Sequence, residues 1–428
     1  MTIEDTEIGR TDSTAKEVRK RDDLRIFALA PDPEAATVDE RDTLVLSMGP
    51  QHPSTHGVLR VMLRLDGETV LTAEPEIGYL HTGIEKQCEN LFWQQAITVV
   101  ERADYLAPLL NGLCYVLAAE RLLGIKDVPP RAQVLRVMFA ELTRIASHLV
   151  WLGTHAMDLG AQSIFMYAFE MRERILDIME FVTGARMHQS WFRIGGLAID
   201  VPKGFLAKMD DFIARFPTRL ADMRRILEKN VIIMDRLVGV GAISASDAIA
   251  WGLTGPNLRA SGIAYDVRKA YPYSGYEQYD FDVCVASGGD CYARFVVRLN
   301  EMQQAWRIIK QACERFPDGP VAIADRKIIP PPKTEIQHSM EALIHHFKLV
   351  SSGFNVPEGH VYQSVESPRG ELGMYVTSAG GNKPWRVRWR PPSFYNLQAL
   401  RKLAPRNLVA DVVAIIGSLD PVFGEVDR

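Results

Sequence analysis

Residues 131–158 read RAQVLRVMFAELTRIASHLVWLGTHAMD. Apolar side chains recur there at helical spacing, over a length of about eight turns. Pro129-Pro130 separate this run from an earlier helical segment at 85–123. The same spacing predicts helices over 161–183 and 207–237, with Gly160 and Gly184 as breaks. Long helices with short joints predict an antiparallel bundle.

Before the helices, Leu59, Val61, Leu63 and Leu65 alternate with Arg60, Met62 and Arg64, the period-2 pattern of a half-buried strand. Asp66-Gly67 is a hairpin signal, so 68–73 reads as the return strand. Residues 1–40 are polar and aperiodic and read as a disordered or loosely attached tail. Past 240 the pattern is mixed. Helices are expected at 294–316 and 334–348, and short strands at 361–376 and 385–390 around Gly380-Gly381. The fold class is therefore α+β, mainly α, with an N-terminal antiparallel β-hairpin or sheet packed on a central antiparallel helix bundle. Its parts are a tail at 1–40, a β region at 41–78, the bundle at 79–240 and a mixed α/β region at 241–428 that packs back on it.

The chain has 428 residues, 47% hydrophobic content and a net charge of −4, enough for a large core and without a nucleic-acid footprint. No apolar run reaches the roughly 18 residues that span a bilayer. The charged N-terminus lacks the apolar stretch of a secretory signal. The chain alone reads as soluble and cytoplasmic, with membrane association through partners. Cys88, Cys114, Cys284, Cys291 and Cys313 form no CxxC pair, so free buried thiols are expected and no metal ligand set.

Several segments can carry chemistry. His52-Pro53-Ser54-Thr55-His56-Gly57 lies in a loop between strands. Its imidazoles suit proton delivery or metal binding, and its residue types equally suit turns and caps. Thr82 with Glu85 resembles a capping box at the first long helix. Glu101-Arg102-Ala103-Asp104-Tyr105-Leu106 falls inside a helical segment and offers a hydroxyl donor and a cation. Asp158 closes the 131–158 helix, as a buried carboxylate or as a cap for the next helix. The segment 418–428 reads as packed rather than frayed.

In collinear order these segments resemble one family, the D-type (49-kDa) subunit of complex I. The markers are GPQHPSTHGVLR at 49–60, GYLHTGIEK at 78–86, ERADYL at 101–106 and THAMDLGA at 154–161. They continue with GARMH at 184–188, TGPNLRASG at 254–262, ESPRGELG at 366–373 and LDPVFGEVDR at 419–428. The family is related to nickel–iron hydrogenase large subunits, which hold metal through RxCGxC and DPCxxC. Here those regions read Arg102-Ala103-Asp104-Tyr105 and Asp420-Pro421-Val422-Phe423-Gly424-Glu425, without a cysteine. Soft thiolate ligands are missing, so a hydrogenase-like scaffold without its metal is expected. Thr82 and Ile194 depart from residues common in relatives, arginine and proline respectively.

The resemblance implies a quinone headgroup site in the vacated cavity, in a proton-translocating NADH:quinone oxidoreductase. His56 and Tyr105 look like the headgroup partners, and Asp158 like the carboxylate paired with His56. Arg102 and His188 look like neighbours of an iron–sulfur cluster in an adjoining subunit. Quinone would be the substrate and this chain would bind no cofactor; NADH, FMN and iron–sulfur clusters would belong to partner subunits. The implied partners are the B-type iron–sulfur subunit, the C-type and I-type subunits, and the H-type membrane subunit, on the cytoplasmic side of the inner plasma membrane. Tyr105 and His56, with unperturbed pKa values of about 10 and about 6.5, would each give a proton. An ionised Asp158 would favour imidazolium at His56, and the pair would titrate as a unit. The rival readings are a ferredoxin-fed or reduced-deazaflavin-fed relative, a true hydrogenase large subunit, and a structural subunit without quinone contact.

Overall fold

In the computed structural model, which describes residues 43–428, the alternation after Leu59 becomes a strand. β2 (Arg60–Asp66) buries Val61, Leu63 and Leu65 and pairs antiparallel with β1 (Leu44–Met48) and β3 (Thr69–Glu76). The turn residues are Gly67 and Glu68, with Gly67 at φ 57°, one step later than expected. The tail at 1–40 lies outside the described residues. The sheet's main support is the C-terminal segment rather than the bundle. β3 packs on Leu400–Leu403, and Val70 exchanges backbone hydrogen bonds with Asn407 (2.9 Å) and Arg406 (2.8 Å).

The helical run at 85–123 divides into α1 (Ile84–Cys88), α2 (Trp93–Val100) and α3 (Pro108–Leu123). The second break has a local cause. The Asp104 carboxylate accepts the N–H groups of Leu106 and Ala107, both at 3.1 Å. That side-chain turn competes with helix, and Pro108 restarts it. Tyr105 therefore sits in a turn, not inside a helix. The capping box at Thr82 does not form either. Gly83, at φ 69°, precedes α1, and Glu85 instead accepts the Trp389 N–H (2.9 Å) and pairs with Arg386, Arg388 and Arg428.

The next helices follow their apolar spacing closely: α4 (Pro130–Asp158), α5 (Gln162–Thr183) and α6 (Phe205–Leu227). Between α5 and α6 lie the two-residue strands β4 (Phe192–Arg193) and β5 (Gly196–Leu197). Asn230 caps α7 (Val231–Leu237), which separates from α6. Three short helices, α8 (Ala245–Ala250), α9 (Pro256–Arg259) and α10 (Val267–Ala270), lead to α11 (Cys291–Glu314). α4 packs on α5 and α11, and α6 packs on both of those. Thus α11, from far down the chain, closes the bundle in place of the 85–123 run.

After α12 (Lys333–Ile336) and α13 (Met340–Ser352), β6 (Gly359–Ser367), β7 (Gly370–Ser378) and β8 (Arg386–Arg390) form an antiparallel meander packed on α3. The chain closes with α14 (Pro392–Gln398), α15 (Leu400–Leu403), α16 (Val409–Leu419) and α17 (Phe423–Asp427). Described residues are about half helical with small antiparallel sheets, an α+β fold rich in helix. All five cysteines are free thiols, and Cys88, Cys114 and Cys291 are buried. Among the described residues no helix is long and apolar enough to cross a membrane.

Candidate functional site

The loop before β2 is held by its own polar side chains. The His52 ring nitrogen Nδ1 accepts the Ser54 N–H (3.3 Å), and the Thr55 hydroxyl donates to the carbonyls of Pro50 (3.0 Å) and His52 (2.9 Å). His52 thus has the capping role that its residue type allows. His56 follows at φ 53°, turned out of this lattice, and the loop packs on α16. Its imidazole centroid lies 5.9 Å from the ring of Phe423, tilted by 47°.

Phe423 opens α17, and its backbone acts on the Tyr105 hydroxyl, opposing the rise that burial causes. His56 and Tyr105 therefore meet at one phenylalanine. The approach is close because Gly424 lacks a side chain. A Cβ there would stand 2.6 Å from the Ala103 carbonyl oxygen. Segments 102–105 and 420–425, more than 300 residues apart, touch through bare backbone.

Beneath Tyr105 lies a buried ionic cluster. The Arg369 guanidinium donates to Asp104 Oδ2 (3.1 Å), Ser147 Oγ (2.7 Å) and Asp420 Oδ1 (3.4 Å). Glu425 is buried beside them and accepts the Ser393 N–H at 3.3 Å. Arg369 Nε and Asp420 Oδ2 have no hydrogen-bond partner among protein atoms. Burial, aided by the Asp104 charge, pushes the Glu425 carboxyl up to about 8. Burial likewise raises Tyr105, with Asp104 adding to the effect and Arg369 opposing it.

Asp158 ends α4, as its sequence position suggests, and does not cap α5, whose first turn follows Ala161 without a side-chain bond. Asp158 and His56 feel each other electrostatically. His56 is exposed on the isolated chain, yet the protein surrounds it closely enough for desolvation to dominate. Burial lowers His56 against the pull of Asp420 and Asp158, and raises Asp158 against the histidines. Burial thus works against the imidazolium that an ionised Asp158 would favour at His56.

Arg102 and His188 also come together. Arg102 donates to the Thr98 carbonyl, and His188, at φ 54°, lies near the Glu101 backbone. Burial, then the nearby Arg102 charge, lowers His188. Between them Glu101 is buried and accepts the Ser190 N–H (2.7 Å) and hydroxyl (3.0 Å). Burial pushes Glu101 up to about 7.

Arg369 was not singled out as a site residue by sequence reasoning. A signal existed in α4, where Glu141, Arg144, His148 and His155 follow heptad-like spacing inside an apolar helix. All four are buried. Arg144 pairs with Glu141 (3.1 Å) and His148 with Glu301 (3.1 Å), while Arg259 binds Glu301 (2.7 Å) and Glu366 (2.8 Å). An open cleft lies elsewhere. It measures about 850 Å³, is lined by Tyr265, Tyr273, Tyr362 and Glu371 among others, and includes none of the residues around Phe423.

The family described as respiratory-chain NADH dehydrogenase, 49-kDa subunit, matches residues 158–428. The second D-type subunit of NADH-quinone oxidoreductase from Chloroflexus aurantiacus is 57% identical, over 92% of this chain and 97% of its own length. The second D-type subunit of a Roseiflexus species is 54% identical, over 97% of this chain and its full length. The D-type subunit of the same enzyme from Geotalea uraniireducens is 53% identical, over 90% of this chain and 99% of its own length.

Proposed function

The chain belongs to the family of the 49-kDa subunit of respiratory-chain NADH dehydrogenase, and from that premise we propose that His56, Tyr105 and Phe423 form a wall of a quinone headgroup site. It is a subunit of complex I, and it acts as part of an oxidoreductase rather than alone. Its partners are other subunits of that complex. A neighbouring iron–sulfur subunit completes the site. The other contacts in this reading are the C-type and I-type subunits and the H-type membrane subunit, on the cytoplasmic face.

The observation that carries the reading is the meeting of His56 and Tyr105 on Phe423. A flat ring offers an apolar face for a quinone ring, and the two polar groups flank it as donors for opposite carbonyl oxygens. The donor chemistry also suits an organic carbonyl better than nickel and iron. The positions of the absent thiolates carry Asp104, Val422 and Glu425, and both carboxyls belong to the Arg369 cluster. We take this as a hydrogenase-like scaffold put to another use.

Quinone reduction consumes two electrons and two protons. The electrons come from the iron–sulfur cluster held by the partner. Tyr105 gives one proton from its hydroxyl. The other comes from the Asp158–His56 pair, in which burial opposes charge on both members, so that they hold a proton jointly. Arg102 and His188 stand at the edge that faces the cluster in this reading. Tyr105→Phe and His56→Ala in the assembled complex test it. Both are expected to lose most quinone reductase activity while assembly stays normal. Unchanged rates and inhibitor sensitivity in both variants would refute the assignment.

A further inference from the structure

We infer that the outward face of α13 (Met340–Ser352) is the docking surface for an amphipathic helix of another complex I subunit. The inference rests on membership of the family and is independent of the quinone-site reading.

α13 faces the opposite way to an ordinary surface helix. At about 100° per residue, Met340, Leu343, Ile344, Phe347 and Val350 fall within an arc of about 120°. A helix of a globular protein turns such a stripe towards its own core. Here the stripe points away. Met340 is 79% exposed, Phe347 68% and Val350 65%, while Leu343 and Ile344 are about half exposed. Within α13 only Ala342 and Leu349 are buried, and both lie on the side opposite the stripe.

The helix is nonetheless seated at both ends. The Ser339 hydroxyl accepts the Ala342 N–H (3.3 Å) at its start. At its end the Ser352 carbonyl accepts the Asn382 side-chain amide (2.7 Å). The Asn382 carbonyl in turn accepts the Trp93 N–H (3.3 Å), and Leu349 joins the main hydrophobic core. The stripe therefore belongs to an anchored helix, not to a fraying one.

Size narrows the occupant. The five side chains present on the order of a few hundred Å² of apolar surface, towards the upper end of what a monomer leaves open. A freestanding interface buries roughly 800 Å² on each partner. The occupant is thus held by other contacts too, which fits a different subunit of the same assembly better than a second copy of this chain. Shape points to a helix. The 13 residues of α13 form a ridge roughly 20 Å long. Met340 with Ile344, and Leu343 with Phe347, make the i, i+4 rows that interdigitate with another helix.

Charge argues against a lipid surface. A helix lying on a membrane carries Lys and Arg along its polar face. The side of α13 turned to the protein instead holds His345 and His346, both half-buried. One flank of the stripe carries Glu341, its side chain 86% exposed, close to Lys348 on the helix surface. A partner helix meets this mixed flank with the opposite pair, a basic residue at Glu341 and an acidic one at Lys348.

The test uses the assembled complex. A photoreactive phenylalanine analogue in place of Phe347 should cross-link, on irradiation, to an identified peptide of another subunit that carries an apolar helical stripe. Capture of lipid or detergent, capture of a second copy of this chain, or no cross-link would overturn the inference. Ile344→Glu with Phe347→Glu gives a second readout. Both positions are exposed, so the isolated full chain should melt within about 2 °C of the parent. The yield of assembled complex should fall about tenfold or more, and Phe347→Leu should restore it in the single variant. Parental yield from the double variant would overturn the inference. If the double variant instead unfolds the isolated chain, the cross-link decides.

Discussion

His56 and Phe423 lie 5.9 Å apart, centroid to centroid, although 366 positions separate them in the chain. The backbone of the same Phe423 acts on the Tyr105 hydroxyl. One residue near the end of the sequence therefore registers the N-terminal hairpin loop against the turn before α3.

Phe423→Leu tests whether the ring itself matters. Leucine keeps the backbone beside Tyr105 and fills part of the volume, but it loses the flat face. Aromatic contacts are worth about 0.5–1.5 kcal/mol beyond area. A fall of roughly threefold to tenfold in kcat/KM for quinone is expected, with normal assembly.

Gly424→Ala tests the backbone approach. Its Cβ would meet the Ala103 carbonyl oxygen at 2.6 Å, and backbone cannot swing aside as a side chain can. Overpacking of this kind costs about 1–3 kcal/mol. The complex should melt at lower temperature, and quinone reduction should fall further than in Phe423→Leu, because Tyr105 moves relative to His56.

Asp158→Asn removes the carboxylate that supports charge on His56. Burial already lowers His56, and losing Asp158 lowers it further. If the pair holds a proton for the quinone, activity that depends on it should decline at lower pH than in the parent. Activity profiles from pH 5 to 9 would show this.

Glu101→Gln concerns stability. The Glu101 carboxyl, usual near 4.5, is pushed to about 7 by burial, and its Oε1 has no partner. Between those values the folded state binds more protons than the unfolded one, so stability falls as pH rises from about 4.5 through about 7. Glutamine removes that loss. The variant should match the parent at pH 4.5 and exceed it at pH 8 by an amount on the order of 3 kcal/mol. Thermal melts of the complex at both pH values check the difference.

The local elements were legible in the sequence. Alternation at Leu59 to Leu65 marked β2, and apolar spacing marked α4 and α5 within a residue or two at each end. The break at Asp104 was not. Helical spacing runs through it, and only the side-chain bonds of Asp104 to Leu106 and Ala107 show that turn chemistry wins. The entry of α11 into the bundle and the placement of Arg369 depend on contacts over more than a hundred residues, which no local period encodes. His56, Tyr105 and Asp158 were named through the family resemblance. The burial that lowers His56 is not stated by a sequence.

The most direct measurement is a structure of the assembled complex with a quinone or a headgroup-competitive inhibitor bound. The ring should lie against Phe423, with one oxygen within hydrogen-bond distance of Tyr105 and the other on the His56 side. A headgroup bound elsewhere, for instance in the cleft lined by Tyr265 and Tyr362, with His56 and Tyr105 untouched, would contradict the account.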